Sequence, residues 1–406
     1  MGTNNNIKSV KKSTPLLNSI EKAAITHYKI TKHPSYKDQC IKIIEDKYEN
    51  IESAYNAITE EFLIDNVPFT GPAKEKFTFI DLFAGIGGFR MALQKLGGKC
   101  LFSSEYDKFA QHTYFANYGE MPFGDITKDE VKAYIPKEFD LICGGFPCQP
   151  FSLAGVSKKN SLGRLHGFAD EKQGNLFFHV ADIIEKHRPK AFFLENVKNL
   201  VSHDKGNTFK VIKNALIDLG YSFDFKVING KSFVPQNRER TFMIGFDKAV
   251  YGEDISFDFN EVKIPDIKQS IRNILQPEVN VKYTLSDKLW NYLQGYADKH
   301  KEKGNGFGFG LVNLDGTSRT ISARYYKDGA EILIPQDGQN PRRLTPLEAG
   351  ALQGYPVFPI NTGDKKNSLR IPVSDNQAYK QFGNSVVMPL INAIGAPLIK
   401  KINKKK

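Results

Sequence analysis

Residues 141–152, Leu-Ile-Cys-Gly-Gly-Phe-Pro-Cys-Gln-Pro-Phe-Ser, set a thiol and an amide, Cys148 and Gln149, between two prolines just past an apolar strand end. A strand that stops in a Gly/Pro-rich loop is where α/β folds place their chemistry. A thiol on such a loop is a candidate nucleophile, although most lone cysteines are small buried hydrophobes. The second group is Glu195, in Phe192-Phe-Leu-Glu-Asn-Val197, an acid at a strand's carboxyl end on the same rim. Its plain alternative is a strand-terminal cap. Thiol and carboxyl together suit conjugate addition to an electron-poor ring, with sulfur attacking carbon while the acid holds or protonates a ring nitrogen. In Gln236-Asn-Arg-Glu-Arg240 the alternation turns Gln236, Arg238 and Arg240 to one side of an extended segment. Arginine there suits carbonyl or phosphate contact; the alternative is a solvated charged turn.

A glycine loop precedes these groups: Phe79-Ile-Asp-Leu-Phe-Ala-Gly-Ile-Gly-Gly-Phe89. Glycines let a backbone turn tightly and approach a ligand at a helix N-terminus. The spacing is G-x-G-G rather than the G-x-G-x-x-G of dinucleotide binders, and no catalytic histidine accompanies it, which argues against a nicotinamide enzyme. Glu105 closes the next strand, where a carboxylate can accept both hydroxyls of a ribose. Asp125, in Gly-Asp-Ile-Thr127, could read an adenine amine. Together these features favour a nucleoside cofactor over a structural turn.

The elements that must position these groups alternate from residue 76. Strands are expected at 77–83, 99–105, 140–143, 191–195, 221–228 and 241–246. Helices are expected between them, near 88–96, 108–118, 175–187 and 207–219. Strands alternating with helices give an α/β fold with a mostly parallel, doubly wound sheet. Ahead of it, residues 1–15 are polar and expected to be disordered. Ile51, Ala54, Tyr55, Ile58 and Phe62 then form one apolar helical stripe, and Cys40, Ile43, Ile44 and Tyr48 a shorter one. This appended module reads as a packing collar or as a helix-turn-helix. Beyond residue 256 regularity fails, and Gly304–Gly310 and Ser318–Arg324 read as a loop-rich second domain. Pattern returns at 374. The expected units are therefore 1–75, 76–255, 256–373 and 374–406, the last returning to the first domain.

Lysine and arginine number 56 against 45 acids, a formal charge of +11, which suits a polyanionic partner, nucleic acid before membrane. Hydrophobic content of 40% and charged content of 25% are those of an ordinary globular chain. The four cysteines, Cys40, Cys100, Cys143 and Cys148, form no ligand-spaced cluster, so reduced thiols and no metal are expected. No apolar run approaches the roughly 20 residues of a membrane span, and the N-terminus lacks an apolar signal core.

The sequences FIDLFAGIGGF, GDIT, GGFPCQPFS, LENVKN, QNRER, RRLTPLE and QAYKQFGNSVV occur in this order across 76–400. The series resembles that of the bacterial DNA (cytosine-5)-methyltransferases. The resemblance implies a Rossmann-like fold that binds S-adenosyl-L-methionine, with a smaller target-recognition domain. It assigns Cys148 to attack carbon 6 of a flipped cytosine, Glu195 to ring nitrogen 3, Arg240 to the cytosine carbonyl, and Arg238 to organising Glu195. The cofactor would lie against Phe83, Gly85, Ile86, Ile126 and Pro147, with Glu105 on the ribose, Tyr106 by the adenine and Asp125 at its amine. Asn384 and Ser385 would close the methionine side.

Duplex DNA would meet Gln149, Ser152, Gln236, Arg319, Thr320 and Arg324, and the loop 149–174, with its basic run Lys158, Lys159 and Arg164, would shut over it. The variable region, KYTLSDKLWNYLQGYADKH with SRTISARYYKDGAEILI, is similar to the Dcm-type enzymes that methylate the second cytosine of CCWGG; their close relatives read CCNGG. The expected protein is a cytoplasmic bacterial monomer, acting on duplex DNA in a restriction-modification system beside a cognate endonuclease. A transfer-RNA methyltransferase or a non-catalytic regulator would be the rivals; the long second domain argues against the first and intact Cys148 and Glu195 against the second.

Overall fold

The computed structural model describes residues 17–45, 47–147, 176–304 and 308–404. Cys148, Gln149, Ser152 and the expected closing loop 149–174 lie outside the described residues. A six-stranded sheet organises the chain: Phe77–Leu82 (β1), Gly98–Ser104 (β2), Leu141–Gly145 (β3), Ala191–Val197 (β4), Asp224–Asn229 (β5) and Glu239–Phe246 (β6), in the order β2-β1-β3-β4-β6-β5. β1 pairs in parallel with β2 and β3, and β3 with β4. The inner strands β1, β3 and β4 are buried along almost their whole length, which is why they read as continuous apolar runs.

The sheet is mostly parallel, as expected, with one strand reversed. β6 runs antiparallel to both β4 and β5. A parallel return needs a crossover of a dozen or more residues, usually a helix. The connection 230–238 holds only a 3-10 turn, Gly230–Ser232, so the chain turns back beside β4. The strand expected from residue 221 also begins later, at Asp224.

Among the described residues, three α-helices precede the sheet: Ser19–Thr31 (α1), Lys37–Ile44 (α2) and Ile51–Glu61 (α3). Asn18 and Glu21 close a capping box on α1, and Asn50 with Ser53 closes one on α3. Their apolar faces pack into the core under β2 rather than facing solvent. Ala24, Ile25, Tyr36, Cys40 and Ile58 are buried in one cluster with Leu101, Phe102 and Phe123. The Tyr36 hydroxyl donates to Leu101 O at 2.7 Å.

Next come Gly88–Lys95 (α4), Lys108–Tyr118 (α5), Leu176–His187 (α6) and Asn207–Asp218 (α7). Residues 256–373 carry, besides short 3-10 turns, Asp287–Glu302 (α8), a hairpin of Leu333–Gln336 (β7) and Gln339–Arg343 (β8), and Pro346–Leu352 (α9). A buried two-pronged ion pair ties the hairpin to α9: Arg342 donates to both Glu348 oxygens at 2.8 Å. Asp375–Asn384 (α10) packs on α9, and Met388–Ile402 (α11) packs on α4. Contrary to expectation, residues 375–402 are long and apolar enough to cross a membrane by length and composition. However, 67% of its apolar 18-residue stretch is buried inside the protein.

Candidate active site

At the carboxyl edge of β1, β2, β3 and β4 lies a cavity of about 710 Å³. Its wall begins where β1 gives way to the glycine loop. Phe83 (φ 53°), Gly85 (φ 55°) and Gly87 (φ 82°) take the left-handed region, which turns the chain into α4 within a few residues. A Cβ on Gly87 would lie 2.3 Å from the Tyr118 ring, so the close approach also excludes other residues there. Glu105, just past β2, accepts from Gly85 N–H at 2.8 Å and Asp107 N–H at 2.7 Å. Its carboxylate thus fixes the glycine loop from across the cavity. Burial pushes its pKa up against those two donors.

Phe83, Gly85, Ile86, Glu105, Tyr106, Asp125, Ile126, Pro147, Asn384 and Ser385, named above as the cofactor set, all line this cavity. So do Glu195, Arg238 and Arg240. Residues the sequence reading missed also face it, above all Ser104 and Gln381. Both are buried, and Ser104 Oγ and Gln381 Nε2 have no hydrogen-bond partner among the described residues. Thr113 Oγ1 donates to Gln381 Oε1 at 3.0 Å, which aims the free amide N–H. Orphaned donors beside apolar Phe83, Ile86 and Ile126 suit a ligand that is part nucleoside and part amino acid. The only sequence signal for Gln381 was its place three residues before Asn384.

Glu195 sits at the end of β4, 8% exposed. Its Oε1 pairs with Arg240 Nε at 3.0 Å, on the adjoining antiparallel strand. Burial raises the Glu195 pKa, with Arg240 and then Arg238 opposing. Burial wins, and the acid form is favoured beyond that of a surface glutamate. Gly145 leaves room for the carboxylate, since a Cβ there would stand 3.0 Å from Glu195 Oε2. Asn196, the next residue, donates to Phe146 O at 2.8 Å and so anchors the loop entrance two residues before Cys148. The other three cysteines are buried, and burial raises each thiol pKa, Cys40 to about 12.

Two expectations for the 236–240 segment fail. Gln236, expected to face DNA, is fully buried, with its amide bonded to Leu352 O and Ile321 N. Arg238, expected to organise Glu195, instead donates to the carbonyls of Ile321, Gly383 and Ser385. The partner of Glu195 is Arg240. Alternation does place these residues on one side, but Gln236 lies in the protein interior while Arg238 and Arg240 reach the cavity wall. Arg319 and Arg324 are exposed and Thr320 is half-buried; none of the three lines the cavity.

A model of the C-5 cytosine-specific DNA methylase family matches residues 77–400. The chain belongs to that family. It is 46% identical over 380 residues to the DNA-cytosine methyltransferase of Escherichia coli K12, covering 81% of this chain and 78% of that one. The type II methyltransferase M.HpaII of Haemophilus parainfluenzae is 45% identical, over 81% of this chain and 91% of its own length. Among solved structures, the S. pombe Dnmt2 methyltransferase superposes with a TM-score of 0.61 at 16% identity, over 81% of this chain and 99% of that one, which supports the Rossmann-like methyltransferase fold. The protein is a DNA (cytosine-5)-methyltransferase, and its cofactor is S-adenosyl-L-methionine.

Proposed function

We propose that this methyltransferase modifies the second cytosine of CCWGG or CCNGG duplexes, on a base flipped out of the helix, through Cys148 and Glu195. The observation that carries the reading is the single cavity shared by the Glu195–Arg240 pair, the glycine loop and the entrance to the Pro147-Cys148 loop. Flipping is required because carbon 6 is out of reach inside a stacked duplex, and it costs a few kcal/mol. Arg240 holds the cytosine carbonyl. Glu195 holds ring nitrogen 3 and supplies a proton there as the Cys148 thiolate adds to carbon 6, which makes carbon 5 the nucleophile. S-adenosyl-L-methionine, when bound, supplies the electrophilic methyl group. Loss of the carbon 5 proton to water then restores the carbon 5–carbon 6 double bond and expels the Cys148 sulfur as thiolate, and nitrogen 3 returns its proton to Glu195.

Phe83, Ile86, Ile126 and Pro147 would hold the cofactor's apolar surfaces, Glu105 its ribose, Tyr106 its adenine face, Asp125 the adenine amine, and Asn384 with Ser385 its methionine end. Arg319, Thr320 and Arg324 are the described residues assigned to DNA, with Gln149 and Ser152 on the loop beyond Cys148. Residues 76–255 with 374–406 form the catalytic unit and 256–373 the target-recognition unit. The enzyme works as a cytoplasmic monomer and shares its site with a cognate endonuclease.

The test is bisulfite sequencing of DNA from a host that lacks cytosine methylation and expresses this protein. Protection of the second cytosine at CCAGG and CCTGG alone is expected for CCWGG, and protection at CCGGG and CCCGG as well for CCNGG. No protected cytosine, from a folded protein that binds S-adenosylmethionine, would contradict the DNA reading and point to RNA.

A further inference from the structure

A buried polar clasp joins three segments far apart in sequence. The first is 235–238, ahead of β6. The second is 318–321, which carries Arg319 and Thr320 to the surface. The third is 383–385, which lines the cavity. Segments one and two run side by side: Ser318 N–H donates to Pro235 O and Asn237 N–H to Ser318 O, each at 2.9 Å. Thr320 Oγ1 donates to Asn237 O at 2.6 Å.

Ile321 is gripped at both ends of its peptide. Its N–H donates to Gln236 Oε1 at 2.9 Å, and its carbonyl accepts from Arg238 Nη1 at 3.1 Å. The same Arg238 reaches the third segment, with Nη2 donating to Gly383 O at 3.0 Å and Ser385 O at 2.6 Å. Gln236 Nε2 donates to Leu352 O at 3.1 Å, and the neighbouring Gln353 donates to Phe382 O at 2.7 Å. Gly383 presses on the second segment so closely that a Cβ would stand 2.3 Å from the Ser322 carbonyl. Both Gln236 and Arg238 are buried, and the hydrogen bonds named above go to backbone groups of the protein. A close-packed contact of this kind cannot give at one face without shifting the other.

We propose that Gln236 and Arg238 are positioning residues that lock segment 318–321 to the wall 383–385, so that duplex and cofactor each tighten the other's binding. The proposal rests on reading 319–324 as DNA-facing and 384–385 as cofactor-facing. Coupling of this kind is reciprocal by thermodynamic necessity, so either ligand can report it.

The experiment is calorimetric titration of S-adenosylhomocysteine into the full-length protein, with and without a CCAGG duplex. In the wild type the duplex should tighten analogue binding roughly five- to tenfold. Gln236→Met keeps the volume and removes the amide, and should bring that ratio to within about twofold of one while duplex-free affinity holds. Gly383→Ala tests the same contact without deleting a polar group, and the ratio should collapse likewise. A residue that merely held the fold would lower stability and both affinities but leave their ratio intact. A wild-type ratio of one, or an undiminished ratio in both variants, overturns the clasp. A wild type that binds neither analogue nor duplex overturns the functional reading and the clasp with it.

Discussion

Glu195 is an acid held where water would normally keep it charged. Burial raises its pKa although Arg240 stands 3.0 Å away, and a proton donor for a ring nitrogen needs that bias toward the acid form. Glu195→Gln keeps the shape without the acidic proton. Its turnover, measured by methyl incorporation into duplex, should fall by roughly 10²–10⁴-fold. Retained turnover would remove Glu195 from the chemistry.

His27 is the opposite case, a base kept neutral. Its Nδ1 faces Ala23 O at 2.9 Å and its Nε2 faces Ser103 N–H at 3.2 Å, the pattern of a neutral ring protonated on Nδ1. Glu120 stands 3.1 Å from Nε2 but is already paired with Arg90 at 2.5 Å. Burial lowers the His27 pKa, with Glu120 opposing. The unfolded chain therefore takes up a proton first as pH falls. Stability present above the unfolded value of about 6.5 is lost progressively as pH drops below it toward the lower folded value. Denaturant midpoints at about pH 7.5 and about pH 5.5 should show a smaller fall in His27→Gln than in the wild type, by up to about 1.4 kcal/mol per pH unit. An equal fall in both would mean that His27 is not the titrating group.

Legibility at this scale follows chemistry rather than geometry. The cavity-lining positions Gly85, Glu105 and Asp125 stood out because glycine and acid types recur at strand ends. Gln236 and Arg238 were misplaced because alternation says which residues share a side, not what that side meets.

At the scale of elements, α4 and its glycine loop form the hinge between fold and site. Gly87 combines a left-handed φ with contact against Tyr118, whose hydroxyl donates back to Gly87 O at 2.8 Å. Gly87→Ala should cost roughly 1–3 kcal/mol of stability by thermal denaturation and weaken S-adenosylhomocysteine binding with it. An unshifted Tm would contradict the packing described. The inner parallel strands were legible from their unbroken apolar runs, and the helices between them from periodicity. The direction of β6 was not, because it depends on a connection too short for a crossover. The N-terminal stripe announced a helix, but its partner, β2, lies dozens of residues away, so docking against it left no local mark.

At the scale of the molecule, the docked N-terminal helices make residues 17–62 part of the core rather than a detachable reader of DNA. Removing residues 1–64 should expose β2 and abolish the near-ultraviolet circular dichroism of the remainder. A deleted chain that keeps that signal would restore the idea of a separable module. The charge of +11 should make duplex affinity fall at least about tenfold between about 50 and about 200 mM salt.

The central claim, a covalent route through Cys148 to carbon 5 of cytosine, is tested most directly with a CCAGG duplex carrying 5-fluorocytosine at the second cytosine. Fluorine at carbon 5 cannot leave as a proton, so the sulfur cannot be expelled. In the presence of S-adenosylmethionine, the wild type should form a complex that survives denaturing electrophoresis, and Cys148→Ser should form none. Normal methylation of the ordinary CCAGG duplex with no trapped complex on the fluorinated one would contradict the account.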